Sequence, residues 1–406
     1  MQKLADQSVF KKSDCLKNRK ICLCVTGSIA AVETVKLVRE ARRHGADVHV
    51  FMTDEAQKFI TPLSLEWASQ NPVILNNSYE ALHLKNFDLY LVAPSTINTL
   101  NKFCSGHCDN IILTTLASAW GREDKIVFVP CGYEDLYNNP VFKNNLKNLQ
   151  SQKNIFILDP LLEENKLKLQ NVEHIVATCS HLLNKKDKKI LINAGPTRAY
   201  IDSVRYIENI STGKLGLTLA DAFYRNGLDV KLIYGPGEEA VYPWLNAVKV
   251  ETASHMFNSM ESELKNNSYD ATIFSAAVLD FEPEKKVEGK ISSFSSFSLE
   301  LKPTEKIITR LKTKFKIGFK LVYDMEEIEL LKFASDWKKK NNIQVLVVND
   351  LKKIDQENHP AWILEEDNLY KAHTKNEIAE RLLAIILEYK APHADVDQNS
   401  DTDKRR

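Results

Sequence analysis

One pattern constrains this chain more than any other, and it occurs twice. KICLCVTG (residues 20–27) is an apolar run that ends in a glycine turn. A stretch of helical periodicity follows and stops at Gly45, and Gly45-Ala46-Asp47-Val48 opens the next apolar run. ILINAGPT (190–197) starts the same series again: glycine turn, the helical pattern LGLTLADAFYRNG, then Gly227-Leu228-Asp229-Val230 into DVKLIYG. Strand, turn, helix and strand in succession make a parallel pair, because parallel neighbours need a long crossover. Repeated units of this kind build a sheet covered by helices on both faces. FDLYLVAPST and KIVFVP extend the first series, and DATIFSAAV, KIGFKLV and VLVVND extend the second. The two halves share an architecture and no visible sequence repeat. A chain of 406 residues is also too long for one ordinary core. The reading is α/β, with two doubly wound, mostly parallel-sheet domains. The lysine-rich stretch 185–189 separates them, giving domains over 18–184 and 185–390. Residues 1–17 form an N-terminal extension, and the polar, charged end 391–406 is predicted to be disordered.

Charge and cysteine usage narrow the function classes. With 54 basic and 54 acidic residues, nothing suggests a nucleic-acid or anionic-membrane binder. No apolar run is long enough to span a bilayer. The lysine-rich start lacks the apolar centre of a secretory signal. Seven cysteines without a disulfide framework fit a reducing compartment, so a cytoplasmic location is expected. Cys22 and Cys24 alternate with apolar neighbours and read as core. Cys104-Ser105-Gly106-His107-Cys108 has a clip-like look, but a zinc site normally needs four ligands and no second pair follows.

Ligands in open parallel sheets bind at the carboxyl ends of the strands. In the first half those ends carry Gly27-Ser28, Thr53 and Ala93-Pro94-Ser95-Thr96 with Asn98-Thr99, Gly106 and Asp109-Asn110. A glycine turn before a helix start suits a phosphate. On these motifs residues 18–150 resemble the flavoprotein decarboxylase family, which binds FMN and acts on peptidyl or pantothenoyl cysteines. The resemblance implies that Gly27, Ser28, Thr53, Ser95, Thr96 and Asn98 line FMN. Its catalytic parts match less well. The family's histidine stands eight residues before the aspartate that opens the third strand, where this chain has Glu80; His83 stands five before Asp88. The family's Pro-Ala-Met-Asn reads Pro130-Cys131-Gly132-Tyr133. No cysteine lies between NIFILDP and NVEHIVATC, and that stretch reads as too short for the family's flap. Oxidative decarboxylation needs a base, a carboxylate anchor and an acid. The expectation is therefore a flavin-type fold whose decarboxylase chemistry is lost or altered; the alternative is a fully bifunctional chain that keeps the decarboxylase working, with His83 as base.

The second half places Ala194-Gly195-Pro196-Thr197-Arg198, Asp202-x-Val204-Arg205-Tyr206-Ile207 and Asn209-x-Ser211-Thr212-Gly213-Lys214-x-Gly216 between a strand and a helix. Ser211–Lys214 is not a P-loop, because the Gly-x4-Gly-Lys spacing is absent. Downstream come Ala276-Ala277-Val278 with Asp280, Lys290-Ile291, Gly318-Phe319-Lys320-Leu321 and Asn349-Asp350. Over residues 188–390 this resembles the ligase part of the bifunctional phosphopantothenoylcysteine decarboxylase/phosphopantothenate–cysteine ligase family of coenzyme A biosynthesis. The domain order matches too. The resemblance implies CTP-dependent joining of 4′-phosphopantothenate to cysteine through an acyl cytidylate, with Mg²⁺, in a homo-oligomer. It implies catalytic roles for Asn209 and Lys290. It assigns nucleotide binding to Ser211, Thr212, Gly213, Ala276, Asp280, Lys290, Lys306, Ile307 and Phe319, with Asp280 also toward Mg²⁺. Two helix lysines of the family fall on Trp337 and Asn341, so Lys338 and Lys340 are expected to replace them. The family's Asn-Pro-Asp-Ile loop reads Thr304-Glu305-Lys306-Ile307, and Ser292-Ser293 stands where further lysine is common. These departures leave CTP and ATP both open. Arg198 and Arg205 support either the turn's anions or surface salt bridges.

Overall fold

The computed structural model describes residues 5–76, 85–293, 296–355, 358–366 and 368–389. The chain divides after Lys185 into two compact units, with Arg225–Gly227 grouping with the first. In the first unit, β1 (Lys20–Val25), β2 (Asp47–Met52), β3 (Leu89–Thr96), β4 (Ile126–Tyr133) and β5 (Ile155–Ile157) alternate with α1 (Thr34–Arg43), α2 (Pro62–Ser69), α3 (Ile97–Cys104), α4 (Ile111–Gly121), α5 (Glu134–Tyr137) and α6 (Pro140–Gln150). A hairpin of β6 (Leu161–Glu163) and β7 (Lys166–Lys168) precedes α7 (Val172–Asn184). The strands run in the order β2-β1-β3-β4, with β5 parallel to β4 and β7 antiparallel to its end. This order reverses direction at β1, between β2 and β3. Cys22 and Cys24 are fully buried, as their alternation predicts.

The second unit repeats the logic with β8 (Lys189–Ala194), β11 (Asp229–Tyr234), β12 (Asn246–Lys249), β13 (Ala271–Phe274), β16 (Lys316–Val322) and β17 (Val345–Asp350). Its helices are α8 (Lys214–Arg225), α9 (Ala253–Asn266), α10 (Ile307–Arg310), α11 (Glu327–Lys340) and α12 (Lys375–Glu388). The sheet runs β12-β11-β8-β13-β16-β17 in parallel, then closes with antiparallel β18 (Ala361–Glu365) and β19 (Asn368–Ala372). Two hairpins stand at its carboxyl edge: β9 (Arg198–Tyr200) with β10 (Tyr206–Glu208), and β14 (Phe281–Pro283) with β15 (Leu301–Pro303). Periodicity misses both hairpins, because strands of three residues carry too little pattern.

The N-terminal extension does more than precede the first domain. Lys12 and Leu16 donate backbone hydrogen bonds to Arg43 and His44 at 2.8 Å each, and Leu16 lies in the core. Beneath it, Glu40 is only 2% exposed and receives His44 (3.3 Å), Lys12 (2.7 Å) and Arg43 (2.8 Å). Burial raises the Glu40 carboxyl, but hydrogen bonds from His44, Lys12 and Arg43 outweigh it and hold the group well below the ordinary carboxylate range. The predicted tail 391–406 lies outside the described residues.

Helix α8 depends on a glycine. A Cβ on Gly216 would stand 2.1 Å from the Cβ of Ala194, so the helix rests directly on β8. Gly216→Ala is therefore expected to push α8 off the sheet and to cost about 1–3 kcal/mol, the usual range for overpacking. Urea unfolding followed by tryptophan fluorescence checks this; an unchanged midpoint would show that the contact relaxes freely.

Candidate active sites at the two sheet crevices

The reversal point of an open sheet leaves a crevice outside the carboxyl ends of the two central strands. In the first unit those strands are β1 and β3. The Thr26 hydroxyl donates to the Pro94 carbonyl at 2.7 Å and accepts from the Thr96 amide at 3.1 Å, fastening the two strand ends together. This brings Gly27, Ser28, Ser95 and Thr96 to one edge. Thr53, after β2, joins them through its amide, which donates to Val25 at 3.2 Å. Asn98 is exposed in the first turn of α3, where the Thr96 hydroxyl caps the Thr99 amide at 3.2 Å. Ser28 spends its hydroxyl on the Ala30 amide at 3.3 Å. Gly27 is small for a local reason: a Cβ there would lie 2.5 Å from that of Glu55. Ser95 is the informative residue. It is fully buried, and its Oγ has no hydrogen-bond partner among the described residues. A buried hydroxyl without a partner is uncommon and marks a place where a polar group from outside fits. The residues present thus fit a flavin phosphate and ring edge.

The decarboxylase-like catalytic residues are placed less completely. Glu80 and His83 lie outside the described residues. Tyr133 is exposed at the end of β4, and Cys131 is buried, its thiol pushed up to about 12 by burial. The stretch that reads as too short for a flap does form the β6–β7 hairpin. It bonds to Gly132 and Tyr133 at the carboxyl end of β4, with Leu161 and Leu162 exposed. Among the described residues no cluster of three or more metal-ligating side chains occurs, at Cys104–Cys108 or elsewhere.

In the second unit the crevice lies between β8 and β13. Asn193, 1% exposed, accepts the Ala276 amide on its side chain at 3.2 Å and the Ser275 hydroxyl on its carbonyl at 2.6 Å. The Ala277 amide donates to Gly195 at 3.0 Å, and the Leu279 amide to the Thr197 hydroxyl at 3.1 Å. Asn209 leaves the β9–β10 hairpin and donates its side-chain amide to the carbonyls of Ala277 and Val278, each at 3.3 Å. Ser211, Thr212 and Gly213 follow at once and open α8. Gly213 has φ +77°, and a Cβ there would meet the Tyr234 hydroxyl at 2.4 Å. The Thr212 hydroxyl accepts from the Lys214 amide at 3.3 Å. The crevice therefore unites Asn209, Ala276 and the start of α8, whose N-terminal amides and dipole favour anions. Asn193 and Thr197 were not among the predicted site residues. A polar residue inside an otherwise apolar strand is the signal that finds Asn193.

The other predicted residues divide. Asp280 follows β13 and forms an ion pair with Lys306, while the Thr304 amide donates to the Asp280 carbonyl at 2.9 Å. The Thr304 hydroxyl is buried without a partner among the described residues. The Ile307 side chain is core beneath α9, which leaves only its backbone for a ligand. Phe319 is half-buried against the core shared by α8 and α12. Lys338 and Lys340 are not brought to the crevice. They lie in the last turn of α11, which delivers the chain to the start of β17 at the opposite, amino edge of the sheet. Lys290 is exposed on a segment bonded to the far end of the β9–β10 hairpin, where the Ser203 amide donates to Gly289 at 2.9 Å. It shares the carboxyl side with Gly213 without adjoining it. Four residues of extended chain, roughly 13 Å, separate that hairpin end from Asn209. Arg198 and Arg205 are held by carboxylates: Arg198 by Glu208 at 2.5 Å, Arg205 by Asp202 at 2.8 Å.

The crevices can be set beside known proteins. Residues 9–184 match the family model described as Flavoprotein, and residues 185–389 match that of the DNA/pantothenate metabolism flavoprotein C-terminal domain. Coenzyme A biosynthesis bifunctional protein CoaBC of Thermococcus kodakarensis is 36% identical over 91% of this chain and 95% of its own length. Its counterpart in Methanocaldococcus jannaschii is 35% identical over 92% and 95%. The crystal structure of the DNA/pantothenate metabolism flavoprotein from Streptococcus pneumoniae covers 50% of this chain and all of its own, with 32% identity and a TM-score of 0.46. No helix among the described residues is long and apolar enough to cross a membrane. With both domain models matched in order and near-complete coverage of both relatives, the chain belongs to the CoaBC family of bifunctional coenzyme A biosynthesis enzymes.

Proposed function

We propose that the second unit joins 4′-phosphopantothenate to cysteine with CTP, and that the first unit decarboxylates the phosphopantothenoylcysteine so formed. The second clause departs from the expectation of a lost decarboxylase. Relatives described as bifunctional match nearly the whole chain, which supports both activities over the ligase alone.

The observation that carries the ligase reading is the meeting of Asn209, the Ala277 and Val278 carbonyls and the α8 start in one crevice. The pantothenate carboxylate attacks the α-phosphate of CTP, and pyrophosphate leaves. The cysteine amine then attacks the acyl cytidylate, releasing CMP and a proton. The first step gathers negative charge, which amides at a helix N-terminus stabilise. Ser211, Thr212 and Gly213 receive the phosphates, and Lys290 meets those extending along the hairpin. Asn209 orients the acyl group, and Phe319 borders the base. Asp280, paired with Lys306 in this structure, would be the carboxylate that contacts Mg²⁺ carried by the nucleotide, since magnesium commonly takes only one or two carboxylates beside phosphate oxygens.

In the first unit Ser28, Thr53, Ser95, Thr96 and Asn98 would hold FMN, with Gly27 in the turn beside them. Bound FMN would supply a two-electron acceptor for the oxidative step and return the pair to the resulting enethiol, so that the net decarboxylation is redox-neutral. His83 stands as the base, and the β6–β7 hairpin covers the substrate. A homo-oligomer working in the cytoplasm on small metabolites completes the reading.

The test uses the purified chain with phosphopantothenate and either CTP or ATP. Pyrophosphate is expected before cysteine is added, and with CTP more than with ATP. Pyrophosphate that appears only after cysteine would remove the acyl cytidylate. Flavin absorbance and carbon dioxide release, followed together, test the first unit.

A further inference from the structure

Lys290 lies on a long excursion between β14 and β15 that has no helix or strand among its described residues. Such a segment needs an outside anchor before a lysine on it can act at one place. The anchor is a buried carboxylate on the other hairpin. Asp202 is 0% exposed. Its Oδ1 accepts the Val204 amide at 2.8 Å and the Arg205 amide at 2.7 Å. Its Oδ2 accepts the Arg205 guanidinium at 2.8 Å and the Ile291 amide at 3.0 Å. Three of these donors come from its own turn and would form there without any second segment. The fourth is the residue directly after Lys290.

Neighbouring bonds reinforce the docking. Besides the Ser203–Gly289 bond, the Val287 amide donates to Ile201 at 3.0 Å, and Arg205 donates to the Ile291 carbonyl at 3.3 Å. A carboxylate with no exposed surface is costly unless each oxygen is satisfied. Releasing the lysine segment would take the Ile291 amide from Asp202 Oδ2 and leave that oxygen only the Arg205 guanidinium. The buried charge and the docked segment therefore stabilise each other.

We propose that Asp202 is the positioning residue for Lys290, fixing through Ile291 where the ammonium meets the nucleotide phosphates. It touches no substrate and acts only through the lysine. This rests on the reading of Lys290 given above.

The test is a double-mutant cycle in the full chain, reading pyrophosphate release at saturating CTP. Asp202→Asn is expected to slow release at least tenfold in the parent chain and to have no further effect in a Lys290→Gln background, the signature of coupled residues. Hydrogen exchange in the same variants is expected to show the Ile291 amide losing protection in Asp202→Asn and keeping it in Lys290→Gln. Arg205→Gln, which leaves the buried carboxylate in place, is expected to give a smaller loss with the same dependence on Lys290. It also serves if Asp202→Asn folds poorly. Equal slowing in both backgrounds would make Asp202 merely structural and overturn the proposal. Unchanged exchange at Ile291 would overturn the docking itself. A normal rate in Lys290→Gln alone would instead remove the role of the lysine, and the positioning claim with it.

Discussion

Lys290→Gln is expected to slow pyrophosphate release from phosphopantothenate and CTP by roughly 10²–10³-fold, the loss seen when one donor to a developing oxyanion is removed. Glutamine keeps a hydrogen-bond donor on a side chain one atom shorter and removes the charge. The affinity for phosphopantothenate should hold, because its binding does not call on the charge that gathers later. The exposure of Lys290 makes a folding defect an unneeded explanation. Surface substitutions of this kind usually stay within about 0.5 kcal/mol of the parent stability. Single-turnover measurement with labelled CTP reads the step directly. A rate within threefold of the parent would end the assignment, and Lys306, beside Asp280, would be the next cation to examine.

The second large effect concerns stability. Glu40→Ala is expected to cost the first unit about 3 kcal/mol, the low end of what a broken buried ion pair costs, because Lys12 and Arg43 retain access to water. The pH dependence follows from two opposite shifts. The Glu40 pKa is depressed, so its contribution is full above the unfolded value near 4.3 and fades as pH falls. Burial lowers the His44 pKa, but hydrogen bonds to Cys15 and Glu40 outweigh it and raise it overall. Its contribution is full below the unfolded value near 6.5 and is lost as pH rises through the folded one. Stability of the first unit should therefore peak at about pH 5–6 and decline on the alkaline side. In His44→Gln that alkaline decline should flatten. Thermal unfolding between pH 5 and 9 checks both, and parallel curves for parent and variant would dismiss the role of His44.

Much of this protein is legible in one dimension. An apolar run, a glycine turn and a periodic helix specify a right-handed crossover wherever they occur, since local sterics and burial decide them. Hence β1–β4, β8, β11, β13, β16 and β17 could be read from residues, and with them the carboxyl edge where ligands bind. Gly213 before a helix was equally plain. Residue by residue, the family resemblance also supplied Asn209, Asp280 and Lys290.

Tertiary structure decided what depends on distant partners. Lys338 and Lys340 looked available by counting, yet the direction of α11 carries them to the wrong edge. Ile307 sat in a nucleotide motif, yet the packing of α9 buries it. The stretch that reads as too short for a flap is a hairpin whose second strand pairs with the distant end of β4. Asp202 and Ile291 are 89 residues apart, and no spacing rule links them. Hydrogen bonds act over about 3 Å in space, whatever the separation along the chain. A sequence thus declares its strands, turns and edges, while the contacts that orient a site exist only once those edges have met.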